Sequence, residues 1–181
     1  VKAFTGLLDA RHIAGNEELT LELRGVIAND WRATAKKSLP ELFELVAERR
    51  RNFGELFQLI EPNIKESYGG IRDATILSHL SATWLVDLPH TEWQKARLFL
   101  LDVRDALAVT AKGDRLHMQS QQGVAAELGL ADPEELLHHT YLAGRKIAYT
   151  SELTWYRLNQ LLVQEKPGLR SLVPRLRGGS K

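Results

Sequence analysis

The chain has 181 residues, 44% of them hydrophobic and 26% charged, with one methionine, no cysteine and a formal charge of +1. That composition fits a globular protein with one good core, or two small cores sharing an interface, and it excludes a disulfide framework, a thiol nucleophile and a cysteine-based zinc site. No apolar run approaches the roughly 18 residues of a membrane span, and the N-terminus lacks the basic-then-apolar pattern of a signal peptide, so a cytoplasmic location without a membrane partner is expected. The charge is unevenly placed. Lys166, Arg170, Arg175, Arg177 and Lys181 are five bases in a stretch with no acid, and the body before them holds four more acids than bases. An acidic body lacks the basic stripe that nucleic acid requires, so no nucleic-acid partner is expected.

Leucine occurs 31 times and valine plus isoleucine 16 times, a bias toward helix because γ-branched side chains keep rotamer freedom there and β-branched ones lose it. In chain order, Leu19, Leu23, Val26, Ile27 and Trp31 recur at helical spacing between Glu17 and Lys37, with Asn16 placed to cap the start. Ser38, Pro40 and Glu41 then form a second start signal, a Ser-x-x-Glu capping box with proline in the first turn, for a helix burying Leu42, Leu45 and Val46. Its basic end, Arg49 to Arg51, suits the negative pole of the helix dipole. From Asn52 to Gly70 the pattern is irregular. A helix restarting at Gly70 or Ile71 is expected to run inward through Leu80 to Trp84 and to stop before Pro89. Thr91 and Gln94 open another, to about Lys112, apolar from Trp93 to Val109 over a wide arc and therefore central. A short helix over 119–128 is closed by Gly129, and Asp132-Pro133 opens a long one to about Glu165. The segment 166–181 reads as a basic linker or tail. The expected fold is all-α, an antiparallel four-helix-type bundle with additional N-terminal helices.

Most catalytic signatures are missing: there is no G-x-S-x-G, P-loop, H-E-x-x-H or D-x-D turn. His138 and His139 project about 100° apart on a helix, which suits a solvated pair better than a chelate. Asp102 and Asp105 fit ion pairs better than a cation site. The stretch Glu61-Pro62-Asn63-Ile64-Lys65-Glu66-Ser67-Tyr68-Gly69-Gly70-Ile71-Arg72-Asp73 carries more. Gly69 and Gly70 precede a helix, where free N–H groups and the dipole favour an anion such as phosphate, with Lys65 and Arg72 close by and Asp73 able to hold either. An equal alternative is that the glycines serve a tight turn and Asp73 the helix start. No catalytic or metal-ligating residue is assigned.

The string P-N-I-K-E-S-Y-G-G-I-R-D at 62–73 resembles the P-x-[IL]-K-x-x-x-G-G-[IL]-R-D signature of the bifunctional PII-protein uridylyltransferase/uridylyl-removing enzymes, to which glutamine synthetase adenylyltransferases are related. Three further stretches resemble that family in its order: L-L-D-A-R-H-I-A-G-N at 7–16, R-D-A-L-A-V-T-A-K-G-D-R-L at 104–116 and Q-Q-G-V-A-A-E-L-G-L at 121–130. The resemblance implies a helical domain like the substrate-binding domains of nucleotidyltransferases. Residues 1–16 would be a C-terminal remnant of the transferase core and 17–165 the bundle, within a longer polypeptide that also carries a nucleotidyltransferase and an HD-type phosphohydrolase domain. It further implies a PII signalling protein as partner and, for the full-length enzyme, magnesium with UTP or ATP. Two departures stand out: the family's catalytic carboxylates are absent, and Ala108 replaces a family histidine. Lys65, Gly69, Gly70, Arg72 and Asp73 are the candidate nucleotide-binding or cleft-facing residues. The alternative function is a non-catalytic module docking a PII protein or glutamine synthetase.

Overall fold

The computed structural model describes residues 2–88, 91–111 and 113–164. These form α1 (Lys2–Leu8), α2 (Glu17–Phe53), α3 (Ile71–Ser81), α4 (Thr91–Thr110), α5 (Met118–Glu127) and α6 (Pro133–Gln164), with one 3-10 turn over Leu56–Gln58. No strand occurs among the described residues; Glu55–Tyr68 and Asn63–Arg115 are isolated bridges. The fold is all-α. The expected tail 166–181 lies outside the described residues.

Two apolar clusters hold the helices together. In one, Leu100, Val103 and Leu107 of α4 meet Leu136 and Ile147 of α6 and Val124 of α5, closed by Leu77 of α3 and by Leu56 and Ile64 of the α2–α3 connection. In the other, Trp31, Leu39, Leu42 and Val46 of α2 meet Ile76 and Leu80 of α3 and Ala148, Trp155 and Leu158 of α6. Both α3 and α6 therefore serve two clusters, which fixes the α3 N-terminus in the middle of the molecule. The start of α6 is built as its sequence suggests. Asp132 Oδ1 accepts from Glu135 N at 2.8 Å, and Glu135 Oε2 accepts from Ala131 N at 2.7 Å.

Three expectations need correction. The two helices expected on either side of Ser38-Pro40 are one helix of 37 residues. Ile27, Trp31, Ala35, Leu39, Leu42 and Val46 make one buried stripe straight through the proline. At roughly 1.5–3 kcal/mol for each large side chain, that stripe outweighs the roughly 3 kcal/mol of an interior proline. Secondly, α3 ends at Ser81, and Trp84 is not inward: it sits at φ 62, 76% exposed, with the Arg32 guanidinium 3.8 Å from its ring centre. Thr83 makes the turn, donating to Leu80 O and accepting from Leu85 N, and Leu88 is the side chain that reaches the core beyond it. Thirdly, Leu19, Leu23 and Val26 of α2 and Val109 of α4 are exposed rather than inward. Periodicity had marked a helix face in each case, but no neighbouring element covers that part of it.

Candidate functional site

The connection from Gly54 to Gly70 is irregular but tightly bonded. Asn63 Oδ1 accepts from Lys65 N and Glu66 N, Ser67 Oγ donates to Phe53 O, and Leu56 N and Tyr68 N pair with Tyr68 O and Gly54 O. Ile64 N and Leu116 N tie the loop to the α4–α5 connection through Asp114 O and Pro62 O. The chain then reaches Gly69 and Gly70. Gly69 has φ 87, and a Cβ there would lie 2.5 Å from Gly144 O on α6. At Gly70 a Cβ would fall 2.6 Å from Ile64 O and 2.7 Å from Ser67 O. Both glycines are thus required by close backbone approach, and Gly69 also by its left-handed conformation.

The N–H groups of the glycine turn and the first residues of α3, expected to be free for an anion, are used within the chain. Gly69 N donates to Asp73 Oδ2 at 2.8 Å, Gly70 N to Ser67 O at 2.8 Å, Ile71 N to Ile64 O at 3.0 Å and Arg72 N to Lys65 O at 3.2 Å. The start of α3 is capped by its own loop, which leaves no ready-made phosphate cradle there.

Asp73 is the hub. It is 1% exposed, receives Gly69 N–H on one oxygen and forms an ion pair with Arg49 on the other. Burial pushes its pKa above the usual carboxylate range, against the pull of Arg49 and of the Gly69 N–H. The expectation that Asp73 holds Arg72 or Lys65 is corrected. Arg72 instead grips Glu66 through Nε at 2.8 Å and a second nitrogen at 2.6 Å, and Lys65 Nζ lies 3.7 Å from Asp114. Burial alone would raise the Glu66 pKa; the Arg72 bonds outweigh it and hold the carboxylate below its ordinary value. The structure brings Gly69, Gly70 and Asp73 into one lock and turns Lys65 and Arg72 away from it.

Sequence reasoning missed Arg49 and Arg50, reading them only as dipole partners. Arg49 reaches Asp73 across 24 residues; Arg50 bonds Glu55 and Glu152 and covers the Tyr68 ring, 4.1 Å from its centre. Only their position at the end of α2 hinted at a role. Arg49, Glu66, Arg72 and His79 line a cleft of about 540 Å³ between α1, α2 and α3, floored by Leu45, Val46 and Ile76. His79 Nε2 lies 3.1 Å from Asp9 Oδ2 in the same cleft. Its arginines are matched by acids, so the wall presents ion pairs rather than free cations.

Among the described residues no group of three or more His, Cys, Asp or Glu side chains gathers to hold a metal ion. His138 and His139 are both exposed. The carboxylates of the glycine turn are already committed, Asp73 to Arg49 and the Gly69 N–H and Glu66 to Arg72. Among the described residues, this turn therefore offers no unpaired carboxylate to magnesium.

The described helices include none long and apolar enough to cross a membrane. No solved structure shows a significant match to the chain. The model of the GlnD PII-uridylyltransferase family matches residues 37–155. A bifunctional uridylyltransferase/uridylyl-removing enzyme of Streptomyces coelicolor is 47% identical over 99% of this chain and 22% of its own length. Enzymes of the same description from Mycobacterium tuberculosis and Corynebacterium glutamicum are 35% and 31% identical over 83% and 81% of the chain, each match covering 20% of the relative. The chain thus spans about a fifth of the length of these relatives. With most of its length under the family model and close to half its residues shared with one relative, the chain belongs to the GlnD PII-uridylyltransferase family.

Proposed function

We propose that this chain is the helical domain of a cytoplasmic PII-protein uridylyl- or adenylyltransferase, and that it supports nucleotidyl transfer to a PII protein without contributing catalytic carboxylates. Residues 1–16 are then the end of the transferase core and 17–165 the bundle. Magnesium and UTP or ATP belong to the full-length enzyme, whose other parts include the nucleotidyltransferase and HD-type phosphohydrolase domains. The observation that carries this reading is the lock at the head of α3: Asp73, joined to Arg49 and Gly69, sets the backbone from which Arg72 and Glu66 reach the cleft wall. In that role the 62–73 motif braces a cleft rather than cradling phosphate with its N–H groups.

The test is Arg72→Ala and Glu66→Gln in the full-length enzyme. Reduced transfer with an unchanged helical spectrum is expected, and wild-type rates in both would remove the cleft role. Complete consumption of the α3 N–H groups favours a second reading, in which the turn is purely structural and the bundle docks a PII protein or glutamine synthetase. A pull-down of PII by the 181-residue chain, with no response to UTP, ATP and magnesium, would select it.

A further inference from the structure

The first ten residues of α2, 17–26, form an arm. None of them is buried, nine are exposed, and the segment 11–16 that leads into them is exposed throughout. Yet this arm is not polar. Leu19, Leu23 and Val26 are 64%, 47% and 54% exposed, and Ile13, in the segment leading into the arm, is 84% exposed. At 100° per residue these three α2 side chains fall within about 60° of arc, one stripe, with Leu21, 59% exposed, the lone leucine on the opposite face. These ten residues extend a helix already nucleated by the packed part of α2, and with no buried side chain of their own only helix propagation holds them. A contiguous exposed apolar stripe of this kind marks a contact surface.

The charges around the stripe say what covers it. Glu18 and Glu22 lie along one edge of it, while Glu17 and the arm's single base, Arg24, lie on the far side of the helix. Two copies of this arm would bring acidic rims together, which disfavours self-pairing. The relatives are roughly five times as long as the matched stretch, so most of such a polypeptide lies outside these residues. We infer that the arm is an intramolecular docking surface: Leu19, Leu23 and Val26, continued by Ile13, seat in an apolar groove with a basic rim on another part of the longer polypeptide. This rests on the reading of the chain as one domain of a larger transferase.

Amide hydrogen exchange, followed by mass spectrometry on the 181-residue chain and on the longer polypeptide containing it, tests this. Peptides covering 17–26 should exchange freely in the 181-residue chain and slow by about tenfold or more in the longer one, an opening free energy of about 1.4 kcal/mol. Leu23→Glu, on an exposed face, should restore fast exchange in the longer polypeptide and leave α6 protection unchanged in both. Equally fast exchange of 17–26 in the two proteins overturns the inference. So does protection already present in the 181-residue chain; if it grows with concentration and is lost in Leu23→Glu, the occupant is a second copy. No transfer activity is read, so the outcome is independent of the Arg72 and Glu66 variants that test the cleft.

Discussion

Residues 17–26 and 63–73 are similar in length and both mix charged with apolar side chains, but they are used in opposite ways. In the first, the apolar side chains Leu19, Leu23 and Val26 face solvent. In the second, a carboxylate, a hydroxyl, a phenol and two glycines lie inside: Asp73, Ser67, Tyr68, Gly69 and Gly70 are all buried. The difference is one of neighbours. Among the described residues the arm meets only the segment before it, through His12 Nδ1 at 3.3 Å from Thr20 Oγ1, so its apolar face stays bare. The turn is enclosed by the end of α2 and the middle of α6, and its backbone donors and acceptors draw polar side chains inward to meet them. Hydrophobicity alone would rank the two segments the wrong way round.

The largest blow to this contrast should be Asp73→Ala, which leaves Arg49 buried without its counter-charge and should cost about 3–5 kcal/mol in chemical denaturation. Replacing the pair together, Arg49→Met with Asp73→Leu, should recover much of that loss; a double variant as unstable as the single one would show that the Gly69 N–H bond matters more than the ion pair. Next is Gly69→Ala, which meets Gly144 O at φ 87 and should cost roughly 2–4 kcal/mol, read as a fall in Tm.

Tyr68 offers a pH test of the same enclosure. Burial pushes its phenol from 10.0 up to about 12, only partly offset by its bond to Ser151. The unfolded chain therefore ionises first, and the stability present below pH 10 should be lost as pH rises from about 10 to 12, on the order of 2–3 kcal/mol. Phenolate absorbance against pH would show it, and Tyr68→Phe should abolish that part of the slope. The smallest effect belongs to the arm: Leu23→Gln in the 181-residue chain should change stability by no more than about 0.5 kcal/mol. A larger loss would mean that the arm is packed after all.

Much of the fold was legible in the sequence because its signals are local. Asp132 before Pro133, Gly129 after α5 and the leucine periods of α4 and α6 act within one or two helical turns, where a residue's partner is three or four positions away. The same locality misled at Pro40, where a start signal was overruled by a buried stripe extending on both sides of it, and at Trp84, where a helical period ran past a hydroxyl-capped turn. In the candidate site, Gly69, Gly70 and Asp73 stood out beforehand as a turn, but what they turn against did not.

By itself, then, the sequence determined an all-α chain, the placement of most helix ends and the presence of a glycine turn ahead of α3, since these follow from backbone freedom and near-neighbour hydrogen bonding. Tertiary structure alone decided that Asp73 pairs with Arg49 rather than Arg72 or Lys65, that the α3 N–H groups are consumed by the preceding loop, and that the apolar stripe of the α2 arm stays uncovered. The Arg49–Asp73 pairing joins elements 24 residues apart, and the N–H bonds, though only three to seven residues long, form in an irregular loop held in place by such distant contacts. Such meetings leave no period in the chain, because they are set by how the two apolar clusters bring α2, α3 and α6 together.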